Sequence, residues 1–212
     1  FIAPQMYRKM IETAEQKQAE LVFCNHVEWQ NGKERLPKKF HFSKPLLSGT
    51  EVLKILYTQN GYCMCLLYQK KLLDEHEIRF LDGMTFAEDR LFVSSCLLYA
   101  LRVGKCEETL YYYRINEKSA TGRYMPMLER DIKRYQTRMQ ELLLSCGLQE
   151  ELSYESAYRT AISGLYAIFN VCKPGSPFSM GKRMRYARKI VQDSYYQDAA
   201  KLALQNKTLT RG

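Results

Sequence analysis

Only two stretches of this 212-residue chain carry a convincing strand pattern, and helix-patterned sequence fills most of the distance between them. Leu21-Val22-Phe23-Cys24 is a solid apolar run that passes into alternation through Trp29, which suits a strand lying near a sheet edge. Thr109-Leu110-Tyr111-Tyr112-Tyr113, within Glu108–Ile115, is rich in β-forming residues. Two strands set among helices predict an α/β chain with too few strands for a closed sheet.

The helices are read from period and punctuation. Tyr7–Gln18 places Met6, Met10, Ile11 and Ala14 on one face, with Pro4 where a first-turn proline is tolerated. Asn31-Gly32 marks a turn after the first strand. Ser48 with Glu51 three residues on predicts a capped helix running to about Gln59. A short helix over Lys70–Glu77 precedes Ile78-Arg79-Phe80 and the turn pair Asp82-Gly83. From Arg90 through Ala100 apolar residues recur too densely for a surface helix, which predicts burial on most sides. From Met125 onward the pattern is helical, with breaks at Gly147 and at Lys173-Pro174-Gly175-Ser176-Pro177.

Composition narrows the function classes. No apolar run is long enough for a spanning helix. Phe1-Ile2-Ala3-Pro4 lacks both an initiating Met and the features of a signal peptide, so the expectation is a start inside a longer protein. Seven scattered cysteines fit small buried hydrophobes in a reducing compartment rather than a disulfide scaffold, and His26, His41 and His76 show no zinc-ligand spacing. The charge is uneven. Residues 122–212 carry 15 Lys+Arg against 8 Asp+Glu, so most of the net +9 lies there. Lys182–Lys189 alone holds five basic residues in eight positions.

Five pieces occur in order and at matching intervals: Ile78-Arg79-Phe80, Gly83, Phe86-Ala87-Glu88-Asp89-Arg90-Leu91-Phe92, Leu110-Tyr111-Tyr112-Tyr113-Arg114, and Ser119-Ala120-Thr121. Together they resemble the family-2 inverting glycosyltransferases with a GT-A fold, over about residues 1–123. Phe1-Ile2-Ala3-Pro4-Gln5-Met6 resembles the segment that follows that family's metal-binding aspartates. At Leu66, before Leu67-Tyr68, the family usually has a lysine, so no substrate contact is carried over to that position.

The resemblance implies a partial GT-A mixed sheet with flanking helices over 1–123, the acceptor-side part of the transferase domain, and a helical extension over 124–212. It implies that the parent enzyme transfers a sugar from a nucleotide-sugar donor to a hydroxyl of a bacterial surface polysaccharide or glycolipid, the acceptor being a glycan or lipid-linked. It assigns the general base to Asp89, with Glu88 shaping the site. Pattern alone favours a plainer reading, since an acidic pair opening a helix satisfies free N–H groups and the helix dipole; the surrounding motifs reverse that order. Arg114, Ser119 and Thr121 are assigned to a loop over the donor diphosphate, although a solvated loop explains Thr121 as well. Tyr111 and Tyr113 share one face and read as core, and Trp29 as a partly buried strand end.

A divalent cation, Mn or Mg, is expected in the complete enzyme and none in residues 1–212, which are expected to be inactive alone. The basic run is expected on a solvated helix face or against an anionic membrane, with nucleic acid ranked last because no recognition motif accompanies it. A cytoplasmic protein, peripheral at the inner face of the membrane, follows from these readings. An open edge beside Leu21–Trp29 would invite pairing with a second copy, a homodimer. The contrasting reading is a non-catalytic basic helical module that binds an anionic membrane or nucleic acid.

Overall fold

A computed structural model describes residues 1–30, 32–35, 43–58, 65–115 and 122–209. The chain divides into two compact units, one of residues 1–82 and 88–116, the other of residues 83–87 and 117–212.

The first unit is a five-stranded mixed sheet flanked by helices. Its strands are β1 (Leu21–Gln30), β2 (Lys33–Arg35), β3 (Leu46–Leu47), β4 (Leu66–Tyr68) and β5 (Val103–Arg114), and its helices α1 (Met6–Lys17), α2 (Gly49–Thr58), α3 (Lys70–Glu75) and α4 (Glu88–Tyr99). β1 runs parallel to β5 on one side and antiparallel to β2 and β4 on the other; β3 pairs antiparallel with the start of β5. The expectation that Leu21–Trp29 lies near an open edge is therefore overturned. β1 is an inner strand, which is why its first seven residues are all buried. β2, β3 and β4 escaped sequence reading because two or three residues show no period, and they become strands only by pairing with β1 or β5.

Alternation along β1 builds two faces. Val22 and Cys24 meet Met6 and Met10 of α1, with Cys65, Cys106 and Leu110, in one cluster. Leu21 and Phe23 point to the opposite face and are equally buried, which requires cover on that side too. α2 and α4 pack on each other, and Val52, Leu53, Cys96 and Leu97 on them are buried. Tyr99 of α4 stays exposed. α2 starts as its sequence predicts: the Ser48 N–H donates to Glu51 Oε2 (2.7 Å) and the Glu51 N–H to Ser48 Oγ (3.3 Å), a reciprocal capping box. Gly49 is obligatory there, because an added Cβ would lie 1.9 Å from the Leu97 carbonyl oxygen.

Register jumps between β1 and β5, from Cys24 opposite Cys106 to Asn25 opposite Thr109. Glu107 and Glu108 bulge outward, and the Asn25 Nδ2–H closes the bulge by donating to the Glu107 carbonyl (2.6 Å). The outer edge of β5 is paired in part by the chain start, since the Ala3 N–H donates to the Leu110 carbonyl and the Tyr112 N–H to that of Phe1.

The second unit is helical: α5 (Leu128–Ser145), α6 (Ser153–Asn170), α7 (Met180–Gln192) and α8 (Ser194–Leu209). Leu128, Ile132, Tyr135, Met139 and Leu143 form the buried stripe of α5 at helical spacing. Small residues on the inner face of α6 let α8 approach closely, and Gly164 lies against the Tyr196 ring. The breaks expected at Gly147 and 173–177 are present. A further break at Asp193 was not foreseen. Its Oδ1 accepts the Tyr195 N–H (3.0 Å), an N-cap that starts α8 one residue after α7 ends.

Candidate functional site

The acidic pair of the Phe86–Phe92 motif opens α4. Glu88 is half-buried and Asp89 exposed. Asp89 Oδ1 accepts the N–H of Arg90 (2.7 Å), which is the helix-start role that the pattern suggests for a carboxylate there. Its other oxygen has no protein partner among the described residues and is free to meet solvent or a ligand. Ala87, just before the pair, has φ +59°. A non-glycine residue in that region costs about 1–2 kcal/mol, so the surroundings must hold it.

Those surroundings lie in residues 83–87. Phe86 packs against the cluster of Leu128, Ile132, Ala167, Ile190 and Tyr196. The Thr85 N–H and hydroxyl both donate to Asp131 Oδ2 (2.8 and 2.9 Å). The Arg130 Nε–H and Nη2–H donate to Asp131 Oδ1 (2.9 and 2.7 Å), and Nη2 reaches the Gly83 carbonyl as well (2.6 Å). Asp131 is 0% exposed. Burial pulls its pKa upward, but the Thr85 and Arg130 donors outweigh that and hold the carboxyl below the ordinary aspartate value. Sequence reading missed this clamp. The available signal was a carboxylate at position 131 on the apolar stripe of α5, between Leu128 and Ile132, where an unpaired charge would not be tolerated.

Arg114 is the last residue of β5, exposed, and stands in register with Trp29 at the shared carboxyl end of the parallel pair β1 and β5. The Ile115 N–H donates to the Trp29 carbonyl (2.9 Å). Trp29 is half-buried, and the ring of Phe1 meets it edge-on while stacking on Tyr112. Carboxyl ends of parallel strands are where open α/β sheets bind ligands. Ser119 and Thr121 lie outside the described residues. No hydrogen bond or ion pair joins Arg114 to Glu88 or Asp89 among the described residues. No three His, Cys, Asp or Glu side chains gather as a metal site among them either, so the described residues offer no ligand set for the implied cation. No described helix is long and apolar enough to cross a membrane.

No protein-family model matches the chain. Over its whole length it is 27% identical to a protein named as an uncharacterized glycosyltransferase, EpsJ of Bacillus subtilis strain 168, and it spans 63% of that protein's length. Its fold matches residues 1–349 of S. aureus TarS, solved in complex with UDP-GlcNAc, with a TM-score of 0.54 at 14% identity, covering 93% of this chain and 65% of that one. The same part of TarS solved with UDP gives 0.55 at 12% identity, covering 97% and 61%. The likeness to TarS is one of fold. Motifs and curated relative point to glycosyltransferases, and at that level the resemblance read from the sequence is borne out.

Proposed function

We propose that this chain is part of a family-2 inverting glycosyltransferase that moves a sugar from a nucleotide-sugar donor to a hydroxyl of a bacterial surface polysaccharide or glycolipid. Residues 1–123 are its acceptor-side part and 124–212 a helical extension. The whole-length similarity to EpsJ carries this reading. The UDP-GlcNAc bound by TarS, whose fold the chain shares, supports a nucleotide-sugar donor. Because the chain spans 63% of EpsJ, the activity of the whole protein, its donor and its acceptor all belong to the proposal. So do a cytoplasmic location at the inner face of the membrane and a divalent cation in the complete enzyme.

In this reading the acceptor hydroxyl oxygen attacks the anomeric carbon as the bond to the diphosphate oxygen breaks. The electron pair leaves with the diphosphate, and the hydroxyl proton passes to the free oxygen of Asp89. Glu88 shapes the acceptor side of that site. Arg114, with Ser119 and Thr121, supplies donors to the departing diphosphate. Asp131 acts on Thr85, holding its N–H and hydroxyl within residues 83–87.

The test is Asp89→Asn in the complete enzyme, with fold and donor binding measured alongside transfer. Binding should persist while turnover falls by about 10²-fold or more. Near-normal turnover would remove Asp89 as the base.

A further inference from the structure

α7 has three faces rather than the two of an ordinary surface helix. At about 100° per residue, Ile190, Tyr186 and Arg183 share the arc turned into the helical unit. Ile190 is buried, Tyr186 donates from its hydroxyl to Glu129 Oε2 (2.9 Å), and Arg183 Nε donates to the Phe178 carbonyl (2.9 Å). Met180, Met184, Ala187 and Val191 fall in a second arc about 60° wide. Its three large members are 71%, 66% and 61% exposed. The third arc, adjoining the second, holds Arg188, Arg185, Lys189 and Lys182. Lys189 pairs with Glu129 at 3.4 Å; Lys182, Arg185 and Arg188 are exposed and have no acidic partner among the described residues. The helix contains no acidic residue.

We infer that α7 is an interfacial helix that lies on an anionic lipid membrane, with Met180, Met184 and Val191 dipping into the headgroup boundary and the basic arc against the lipid phosphates. This deepens the proposed function, resting on it only for where a lipid-linked acceptor would be met. A continuous apolar stripe beside an unpaired basic arc fits a surface that is itself apolar beneath and anionic above. Nucleic acid would satisfy the charge but offers nothing to the Met–Val stripe, and the one aromatic ring of α7, Tyr186, is turned inward. A second copy would cover the stripe, but a second α7 holds no acidic residue to offer the basic arc. The stripe is short and narrow, so binding is reversible and depends on charge and apolar contact together.

The test is sedimentation of the whole 212-residue chain with vesicles of phosphatidylcholine alone and with one part in three phosphatidylglycerol. The chain should bind the anionic vesicles and lose that binding in molar salt. Arg185→Gln/Arg188→Gln should lower the partition coefficient about 25-fold, at roughly fivefold per basic residue. Met180→Gln/Met184→Gln keeps every charge and should lower it about tenfold. All four side chains are exposed, and far-UV circular dichroism verifies that both variants fold.

Equal binding to the two vesicle types, or full binding by the methionine variant, overturns the proposal. So does a concentration-dependent dimer that the methionine variant abolishes without any vesicle binding, and so does binding to a labelled single-stranded oligonucleotide with none to vesicles. The assay contains no donor, acceptor or turnover, so failure here leaves glycosyl transfer standing, and failure of the Asp89 test leaves this surface standing.

Discussion

Replacing Asp131 by alanine removes the acceptor for four N–H or O–H donors at once. Two come from Thr85 and two from Arg130. A hydrogen bond to a charged group is worth about 1.5–3 kcal/mol net. The full sum does not apply here. Arg130 is 43% exposed and rehydrates on losing its partner, so its share falls to the roughly 0–1 kcal/mol of a surface pair. Thr85 is exposed as well and recovers some solvation. We therefore expect Asp131→Ala to destabilise the helical unit by about 3 kcal/mol, and Asp131→Asn, whose amide oxygen still accepts, by about half that. Urea titration followed by far-UV circular dichroism, to which α5–α8 contribute strongly, measures both. The pH dependence gives a separate check. The folded carboxyl has a lowered pKa, so the unfolded chain binds the proton more readily. The stabilisation is complete above the unfolded value of about 3.9 and is lost as pH falls through the lower folded value. The gap between parent and Asp131→Asn should close on acidification. An alanine variant within about 0.5 kcal/mol of the parent at neutral pH would refute the reasoning.

Gly49→Ala should cost about 3 kcal/mol because its Cβ would meet the backbone oxygens of Leu97 at 1.9 Å and Ala100 at 2.7 Å, which cannot rotate away; a urea midpoint equal to the parent's would show that α2 and α4 adjust. His26, buried on β1, has a pKa lowered by desolvation, with the charge of Glu28 opposing only in part. Its contribution is complete above the unfolded value of about 6.5 and is lost as pH falls toward the folded one. Stability reported by Trp29 fluorescence should therefore drop between pH 7 and 5, and His26→Gln should flatten the curve; equal slopes would exclude His26.

Local order was legible wherever a residue's role depends on near neighbours. Ser48 and Glu51 announced the start of α2, Met6 and Met10 the inner face of α1, and Thr109–Tyr113 a strand, because caps, helical stripes and β-rich runs act within a few residues. The acidic pair at the head of α4 and Arg114 at the end of β5 could be singled out by the motifs around them. What their side chains face depends on chain segments far away, and no local pattern carries that.

The sequence by itself determined which stretches are helical in pattern, the cap that starts α2, and that the excess positive charge is gathered in the C-terminal part. Only the tertiary structure decided that β1 is an inner strand, since an apolar run reads alike whether one edge or both are paired. The tertiary structure alone made strands of Leu46–Leu47 and Leu66–Tyr68, which have no period of their own. It buried Asp131 beneath Thr85 and left Met180, Met184 and Val191 in water. Periodicity says that a helix has an apolar face, but which of its faces finds a partner is settled by packing, and α7 turned Ile190 inward instead.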